Sequence, residues 1–139
     1  MINQLRRHSI AIISLVVALS SLSYNTWRNE KTEYNRNQRQ ASFEILLKLN
    51  ALQQVVFYNH YEQDTLNRGN PRLGWTYILT IRDLSMILRS PLPEQAQSLL
   101  NLWEQNWEVL DRDVAAKNAI EAGMDQYRQA ILKLLQSLE

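Results

Sequence analysis

The sequence predicts an all-α protein, in which one N-terminal transmembrane helix continues into an extramembrane antiparallel bundle of about four helices. Three observations support this prediction. An uncharged stretch runs from Ser9 to Trp27, and three glycines and three prolines are the only helix breakers among 139 residues. Apolar residues recur at steps of three and four along the rest of the chain, which is the helical period. No alternating apolar run between turn residues predicts a strand.

The apolar segment at residues 9–27 fits both a membrane anchor and a cleaved signal peptide. At about 1.5 Å per residue it reaches roughly 28 Å, close to a hydrocarbon core of about 30 Å. Its second half is rich in serine, and small residues around Ser21 and Ser23 would also suit signal-peptide cleavage. If the segment is cleaved, the product is a secreted soluble bundle.

Two features favour the retained anchor. Aromatic residues stand directly before a cation at the end of the segment, as in an interfacial aromatic belt. No glycine or proline precedes Gly69, whereas cleaved signal peptides commonly have a helix breaker. We therefore expect the membrane interface to be marked by Arg6, Arg7, Tyr24, Trp27 and Arg28.

The orientation of the anchor depends on which cations dominate. Lys and Arg are more numerous after the segment than before it, which by simple counting places the C-terminal part in the cytoplasm. However, Arg6 and Arg7 lie almost against the apolar run and the tail is short, as in an uncleaved signal-anchor. We expect the N-terminus inside and the domain outside the inner (plasma) membrane, which in a Gram-negative bacterium means the periplasm.

The spacing of breakers predicts where the helices end. We expect a tail at residues 1–8, the anchor at 9–27, a polar helical stalk at 28–40 and the bundle domain at 41–139. The first helix should run to about Leu66, before "NRGNPRLG". Further helices are expected at about Trp75 to Arg89, from Pro93 in a first turn, and from about Asn118, which with Glu121 resembles a capping pair.

Each predicted helix has an apolar seam that should form the core. In the first helix the seam starts with three residues spaced seven apart, as in a coiled coil: Trp27, Tyr34 and Ala41. It continues through Ile45, Leu49, Leu52 and Val56. The later seams are Tyr77, Ile81, Leu84 and Leu88, then Ala96, Leu99, Trp103, Trp107 (or Asn106), Leu110 and Val114, then Ile120, Met124, Tyr127, Ile131, Leu134 and Leu138.

The composition argues against several classes of chemistry. The net charge is +1 without a basic face, so we expect no nucleic-acid partner. The chain has no cysteine, and it has no G-x-S-x-G motif or glycine-rich phosphate loop. His60 lies four residues before Asp64, but no Glu-x-x-His pair faces it, so we expect a surface histidine. We therefore expect no enzyme activity, no cofactor and no metal.

Two sets of residues remain as candidates for binding. Ser14, Ala18, Ser21 and Asn25 recur at steps of four, three and four, and such a stripe of small and polar residues lets membrane helices pack closely. With Tyr34 and Ala41 they form the predicted helix-association surface. Separately, three tryptophans on facing helices could line a ligand pocket or simply fill the core: Trp75, Trp103 and Trp107.

These features favour a non-enzymatic, single-pass membrane protein whose helical domain associates with another protein or with itself, as an accessory subunit or scaffold. The expected partners are the lipid bilayer and another membrane or periplasmic protein, or a second copy. The alternative is a ligand-binding bundle, because the layout resembles the periplasmic sensor modules of bacterial receptors. Eight residues before the anchor are too few for an output domain, so such a sensor would act through a partner.

Overall fold

The computed structural model describes residues 2–138, with side chains from residue 8 onward. Within this range the chain forms α1 (Ile2–Tyr61), α2 (Pro71–Ser85), α3 (Leu92–Asn106) and α4 (Val114–Gln136), with a 3₁₀ turn at Trp107–Val109. Residues 2–138 contain no strand. The prediction of an all-α protein with four helices is therefore confirmed.

The chain divides into two compact units, Met1–Arg36 and Asn37–Glu139. The described residues of the first unit belong entirely to α1, and their side chains from residue 8 to residue 34 are exposed. The second unit contains the rest of α1 and the three other helices. The finer boundaries of the anchor and the polar stalk stay predictions.

The second unit has one hydrophobic cluster that draws residues from all four helices. The predicted seam of α1 is buried from Ala41 to Val56, and the seam of α4 is buried from Ile120 to Leu138. In the second and third predicted seams, half-buried residues alternate with buried ones. Tyr77, Leu84 and Trp107 are half-buried, and the following are buried as predicted: Ile81, Leu88, Ala96, Leu99, Trp103 and Leu110. Val114 is exposed, contrary to prediction, because it begins α4 rather than continuing α3.

A pair of hydroxyl groups joins α2 to α4 inside the core. Ser85 is buried and its Oγ donates to the carbonyl of Ile81 at 2.5 Å. Because that donation uses the Ser85 proton, the hydroxyl of Tyr127 must donate to Ser85 Oγ. Burial raises the pKa of Tyr127 to about 12, which keeps the phenol protonated and able to donate.

The first helix ends at Tyr61, about five residues before its predicted end. Gln63 has φ 54°, a left-handed conformation that does not continue a helix. Both oxygens of Asp64 then accept backbone N–H groups, from Asn67 at 2.9 Å and from Arg68 at 3.1 Å. The N–H of Asn67 in particular lowers the pKa of Asp64. The helix is thus ended by a side-chain-capped turn before the glycines and the proline are reached.

The second helix runs from Pro71 to Ser85, four residues earlier at each end than predicted. Asn70 Oδ1 accepts the N–H of Arg72 at 3.0 Å, so Pro71 occupies the first helical position, where its missing N–H costs nothing. After Ser85 the N–H groups of Met86 and Ile87 donate three residues back. These tighter turns end the α-helix before the expected Arg89. Pro93 lies in the first turn of α3, as predicted.

The last helix begins at Val114 rather than at about Asn118. Asp113 caps it, because Asp113 Oδ1 accepts the N–H of Ala115 at 2.7 Å and that of Ala116 at 3.3 Å. Asn118 lies inside the helix, and Glu121 instead pairs with Lys117 at 3.0 Å. The predicted capping pair at Asn118 was therefore wrong.

Replacing Asp113 by alanine should destabilise the second unit by about 1 kcal/mol, the usual cost of removing an N-cap side chain. Thermal unfolding in mild detergent, followed by circular dichroism, would measure the loss. Asp113→Asn is the matched control, because its amide oxygen can still accept both N–H groups. Equal losses for the two variants would show that the charge of Asp113, rather than its capping bonds, stabilises the helix.

Two long polar side chains at the start of the second unit form hydrogen bonds to backbone groups much later in the sequence. Gln38 is buried, and its amide donates to the carbonyl of Ile87 at 2.6 Å and accepts the N–H of Arg89 at 3.1 Å. The next residue, Arg39, donates to the carbonyl of Leu138. These contacts connect the first turn of the unit to the α2–α3 connection and to the end of α4.

Candidate functional site

The apolar part of α1 could span a membrane by its length and composition. It is the one helix in the described part of the chain that meets this criterion, with a mean hydropathy of 1.5 over its most apolar 18 residues. None of that stretch is buried within the protein. A core helix would be covered by its own chain, so this surface needs lipid or a partner to leave water.

Three hydroxyl groups in the segment bond to the backbone of the helix itself. Ser14 Oγ donates to the carbonyl of Ile10 at 2.9 Å, and Ser21 Oγ to that of Val17 at 2.8 Å. Thr26 Oγ1 donates to the carbonyl of Leu22 at 3.0 Å. A polar group satisfied in this way costs less in hydrocarbon than an unpaired one. Ser21 and Thr26, in the second half of the segment, are therefore less polar in effect than its composition suggests.

The predicted association stripe is accessible along its length. Ser14, Ala18, Ser21 and Asn25 are all exposed. The serine hydroxyls keep their acceptor lone pairs, and the amide of Asn25 makes no hydrogen bond to the described residues. The stripe therefore retains polar groups that a second helix could use, and its role in association stays a prediction.

Aromatic and cationic side chains cluster where the apolar segment ends. The ring centroids of Tyr24 and Trp27 are 6.1 Å apart, and Lys31 Nζ lies 5.6 Å from the Trp27 ring centroid. This grouping suits an interface between lipid and water, where amphipathic rings and cations are enriched. Arg6 and Arg7 lie outside the residues whose side chains are described. The interfacial role stays a prediction for all five predicted residues: Arg6, Arg7, Tyr24, Trp27 and Arg28.

The three residues spaced seven apart that were predicted to start the seam of the first helix do not share one environment. Trp27 and Tyr34 are exposed. Ala41 is buried in the hydrophobic cluster of the second unit, so its own chain already covers it. Of the three residues, only Trp27 and Tyr34 offer a surface to a partner in this structure.

The three tryptophans proposed as a pocket lie together. The Trp75 ring meets the Trp103 ring at 6.5 Å between centroids and the Trp107 ring at 6.1 Å, both edge to face. Trp103 is fully buried, and its Nε1 has no partner among the described residues. A Cβ placed on Gly74 would lie 2.2 Å from the Trp103 ring, so α2 touches that ring directly. The indoles fill space against one another; a ligand pocket there stays a prediction.

A second exposed surface was not predicted from the sequence. On the part of α1 in the second unit, opposite its buried seam, four large apolar side chains are 47–60% exposed: Phe43, Leu47, Phe57 and Tyr61. Asn50 and Gln54 lie between them and are also exposed. We call these six residues the outer face of α1. The signal was present in the sequence, because this stretch carries more apolar residues than one core-facing seam can use.

The C-terminal end of the outer face is held by polar contacts. The Phe57 and Tyr61 rings lie 5.3 Å apart, and Lys117 Nζ bonds to the Tyr61 hydroxyl at 3.1 Å. Nζ is 3.1 Å from the hydroxyl oxygen but 5.3 Å from the centre of the ring. It therefore lies beyond the hydroxyl group rather than above the ring face. This hydrogen bond, together with Glu121, raises the pKa of Lys117. Tyr61 is thus positioned while one side of its ring stays exposed.

His60 bonds to the backbone of a distant part of the chain. It is half-buried, and its Nδ1 lies 2.7 Å from the carbonyl of Leu110, so Nδ1 carries the proton and donates. The expectation of a surface histidine was therefore too simple. Among residues 8–138, no three His, Asp or Glu side chains come together as ligands of a metal ion would.

Comparison of the chain with models of protein families, with curated proteins and with solved structures gives no match. The functional argument therefore rests on the two exposed surfaces of α1.

Proposed function

We propose that this chain is a single-pass membrane protein without enzymatic activity, whose helical unit associates with a membrane or periplasmic protein or with itself, as an accessory subunit or scaffold. One observation carries the proposal. No residue of the most apolar stretch is buried within the protein, whereas the second unit fills its own core with residues from four helices. The segment is therefore not needed to complete that core, and lipid is the simplest environment that covers it.

The proposal includes a finer arrangement of the second unit. We propose that its part of α1, with α2, α3 and α4, forms an up-down-up-down antiparallel bundle. The connections between the helices are short, which favours antiparallel neighbours. Cross-helix bonds support the pairing of α1 with α4, between Gln53 and Glu121 at 3.0 Å and between Arg128 and Asn50 at 2.8 Å.

The proposal also places the second unit outside the cytoplasm, with the N-terminus inside. Support comes from Arg6 and Arg7, which stand directly before the apolar run. Under this topology the anchor lies in the inner (plasma) membrane, and the outer face of α1 is open to periplasmic or extracellular partners.

Retention of the apolar segment is the first consequence to test. The native protein, isolated from washed membranes, should have the intact mass of a chain that includes residues 9–27. A reporter enzyme active only outside the cytoplasm, fused after Glu139, should be active, whereas a reporter specific for the cytoplasm should not. A mature chain that starts near Ser21 or Tyr24 would contradict the anchor, and the reverse reporter pattern would contradict only the orientation.

A further inference from the structure

We propose that the outer face of α1 is the docking site of a second copy of this chain, so that the protein forms a parallel homodimer in its membrane. The inference rests on the proposed function and deepens it by naming the partner and the surface. It is independent of the small-residue stripe in the apolar segment.

The outer face has the spacing of a helix-pairing seam. Its residues follow one another at steps of four, three, four, three and four: Phe43, Leu47, Asn50, Gln54, Phe57 and Tyr61. This alternation is that of the a and d positions in a coiled coil. Other large exposed apolar residues of the second unit, such as Leu66 and Val114, do not continue it. The six residues lie along one line of the helix, with an apolar pair at each end and two amides between the pairs.

The charges on this stretch of α1 are turned away from the face. Glu44 lines a groove with Leu84 and Ile87 of the α2 side. Lys48 points to α2 as well, with its Nζ 5.9 Å from the Tyr77 ring centroid. None of the six residues of the face is itself charged. Two cations of α4 bond to its edge: Lys117, which is paired with Glu121, at Tyr61, and Arg128 at Asn50. Two identical faces of uncharged residues can meet without direct like-charge contact between the six residues, which a symmetric dimer requires.

The two amides in the middle of the face argue for a second copy rather than an unrelated apolar partner. An apolar surface docked over Asn50 and Gln54 would strip their amides of water and leave them unpaired, which is costly. In a parallel dimer each amide faces the same amide of the second copy, which offers both a hydrogen-bond donor and an acceptor. Amides at such positions fix register and dimeric state in parallel coiled coils. The Asn50 side-chain oxygen already accepts a hydrogen bond from Arg128. The groups left to pair with the second copy are therefore the Asn50 NH₂ group and the Gln54 amide.

The size of the face indicates that the dimer depends on the membrane. Aromatic side chains of this size bury about 150–250 Å² each, so four large side chains exposed by about half supply roughly 400 Å² per copy. A stable soluble interface needs about 800 Å² per partner. Two copies anchored in one bilayer are confined to the same membrane, and this raises their effective concentration. We therefore expect pairing of the anchored chain.

Site-specific crosslinking in native membranes tests the proposal, and the absence of cysteine from the chain makes single-cysteine variants unambiguous. Gln54→Cys should give a dimer of twice the chain mass with a short bismaleimide reagent. Ser98→Cys, exposed on α3, is the matched control and should not. Adding Leu47→Glu to Gln54→Cys should lower the crosslinked fraction about tenfold or more, whereas adding Leu66→Glu in the exposed loop should leave it unchanged.

A third cysteine position separates this inference from the proposed function. If Ser21→Cys in the apolar segment crosslinks while Gln54→Cys behaves like Ser98→Cys, the outer face is not the docking site, and membrane association stands. A Gln54→Cys product with the mass of this chain plus a different protein would overturn the second copy as partner.

Loss of crosslinking with Leu66→Glu as well as Leu47→Glu would show that the effect is not specific to the face. Circular dichroism of the Leu47→Glu chain should match the parent, because Leu47 is 60% exposed.

Discussion

Replacing Trp103 by alanine should lower the free energy of unfolding of the second unit by about 3–5 kcal/mol. The side chain is fully buried, lies edge to face against Trp75 and touches the backbone of α2 at Gly74. The cavity left behind is too large for the neighbours to close, and a domain of this size has only about 5–15 kcal/mol to lose. Thermal unfolding in mild detergent would measure the effect, and Trp107→Ala, at a half-buried position, should cost clearly less.

The contact between Gly74 and Trp103 can be tested by a double-mutant cycle. Gly74→Ala should cost about 1–3 kcal/mol, because its new Cβ overlaps the Trp103 ring. Trp103→Phe removes that part of the ring and also the unpaired buried N–H. Combined with Trp103→Phe, the alanine at position 74 should therefore cost much less than it does alone. Additive costs would show that the close approach of α2 to this ring is not what requires glycine.

Two arginines in the apolar segment should release the protein from the membrane. Each arginine near the middle of a membrane helix costs about 2.5–3.5 kcal/mol of insertion free energy, so Val16→Arg with Val17→Arg should cost about 5–7 kcal/mol. The segment contains few strongly apolar residues in its second half to offset this loss. We expect the doubly substituted chain to leave the membrane fraction on an alkaline wash, whereas the parent remains.

The matched control for this release is Val16→Leu with Val17→Leu, which keeps the segment apolar and should keep the chain in the membrane. If the arginine variant sediments with membranes as fully as the parent, the apolar segment is not the anchor, and a surface of the second unit must bind the membrane. If the segment is instead a cleaved signal peptide, the parent itself would lack it by intact mass.

The apolar periodicity predicted the core of the longest helices well. The seams at Ile45 to Val56 and at Ile120 to Leu138 are buried in the structure as expected, because each follows the helical period without interruption. The ends were predicted less well, since they depend on single side-chain bonds. Gln63 and Asp64 end α1 before any glycine or proline, and Asp113 caps α4 ahead of the expected Asn118.

The candidate surfaces were predicted in part. The sequence left open whether the three tryptophans line a ligand pocket or fill the core. Their rings lie together in the structure, because α2 and α3 pack closely at Gly74, and the pocket stays a prediction. The sequence did not reveal the outer face of α1, since the buried seam through Ile45 and Leu49 accounted for the helical period. Nor did it show that His60 donates across to Leu110, a contact that joins residues 50 positions apart and leaves no local pattern.

The bonds of Gln38 have a mechanical consequence. The chain enters the second unit at Asn37, so tension pulling on the N-terminal side of that residue reaches Gln38 and Arg39 before any apolar contact of the core. The Gln38 amide holds the connection after α2 at two points, and Arg39 holds the end of α4. Force would therefore be shared among hydrogen bonds to two distant parts of the chain that must break together, rather than one at a time. The helical unit would therefore resist being pulled open from its N-terminal side.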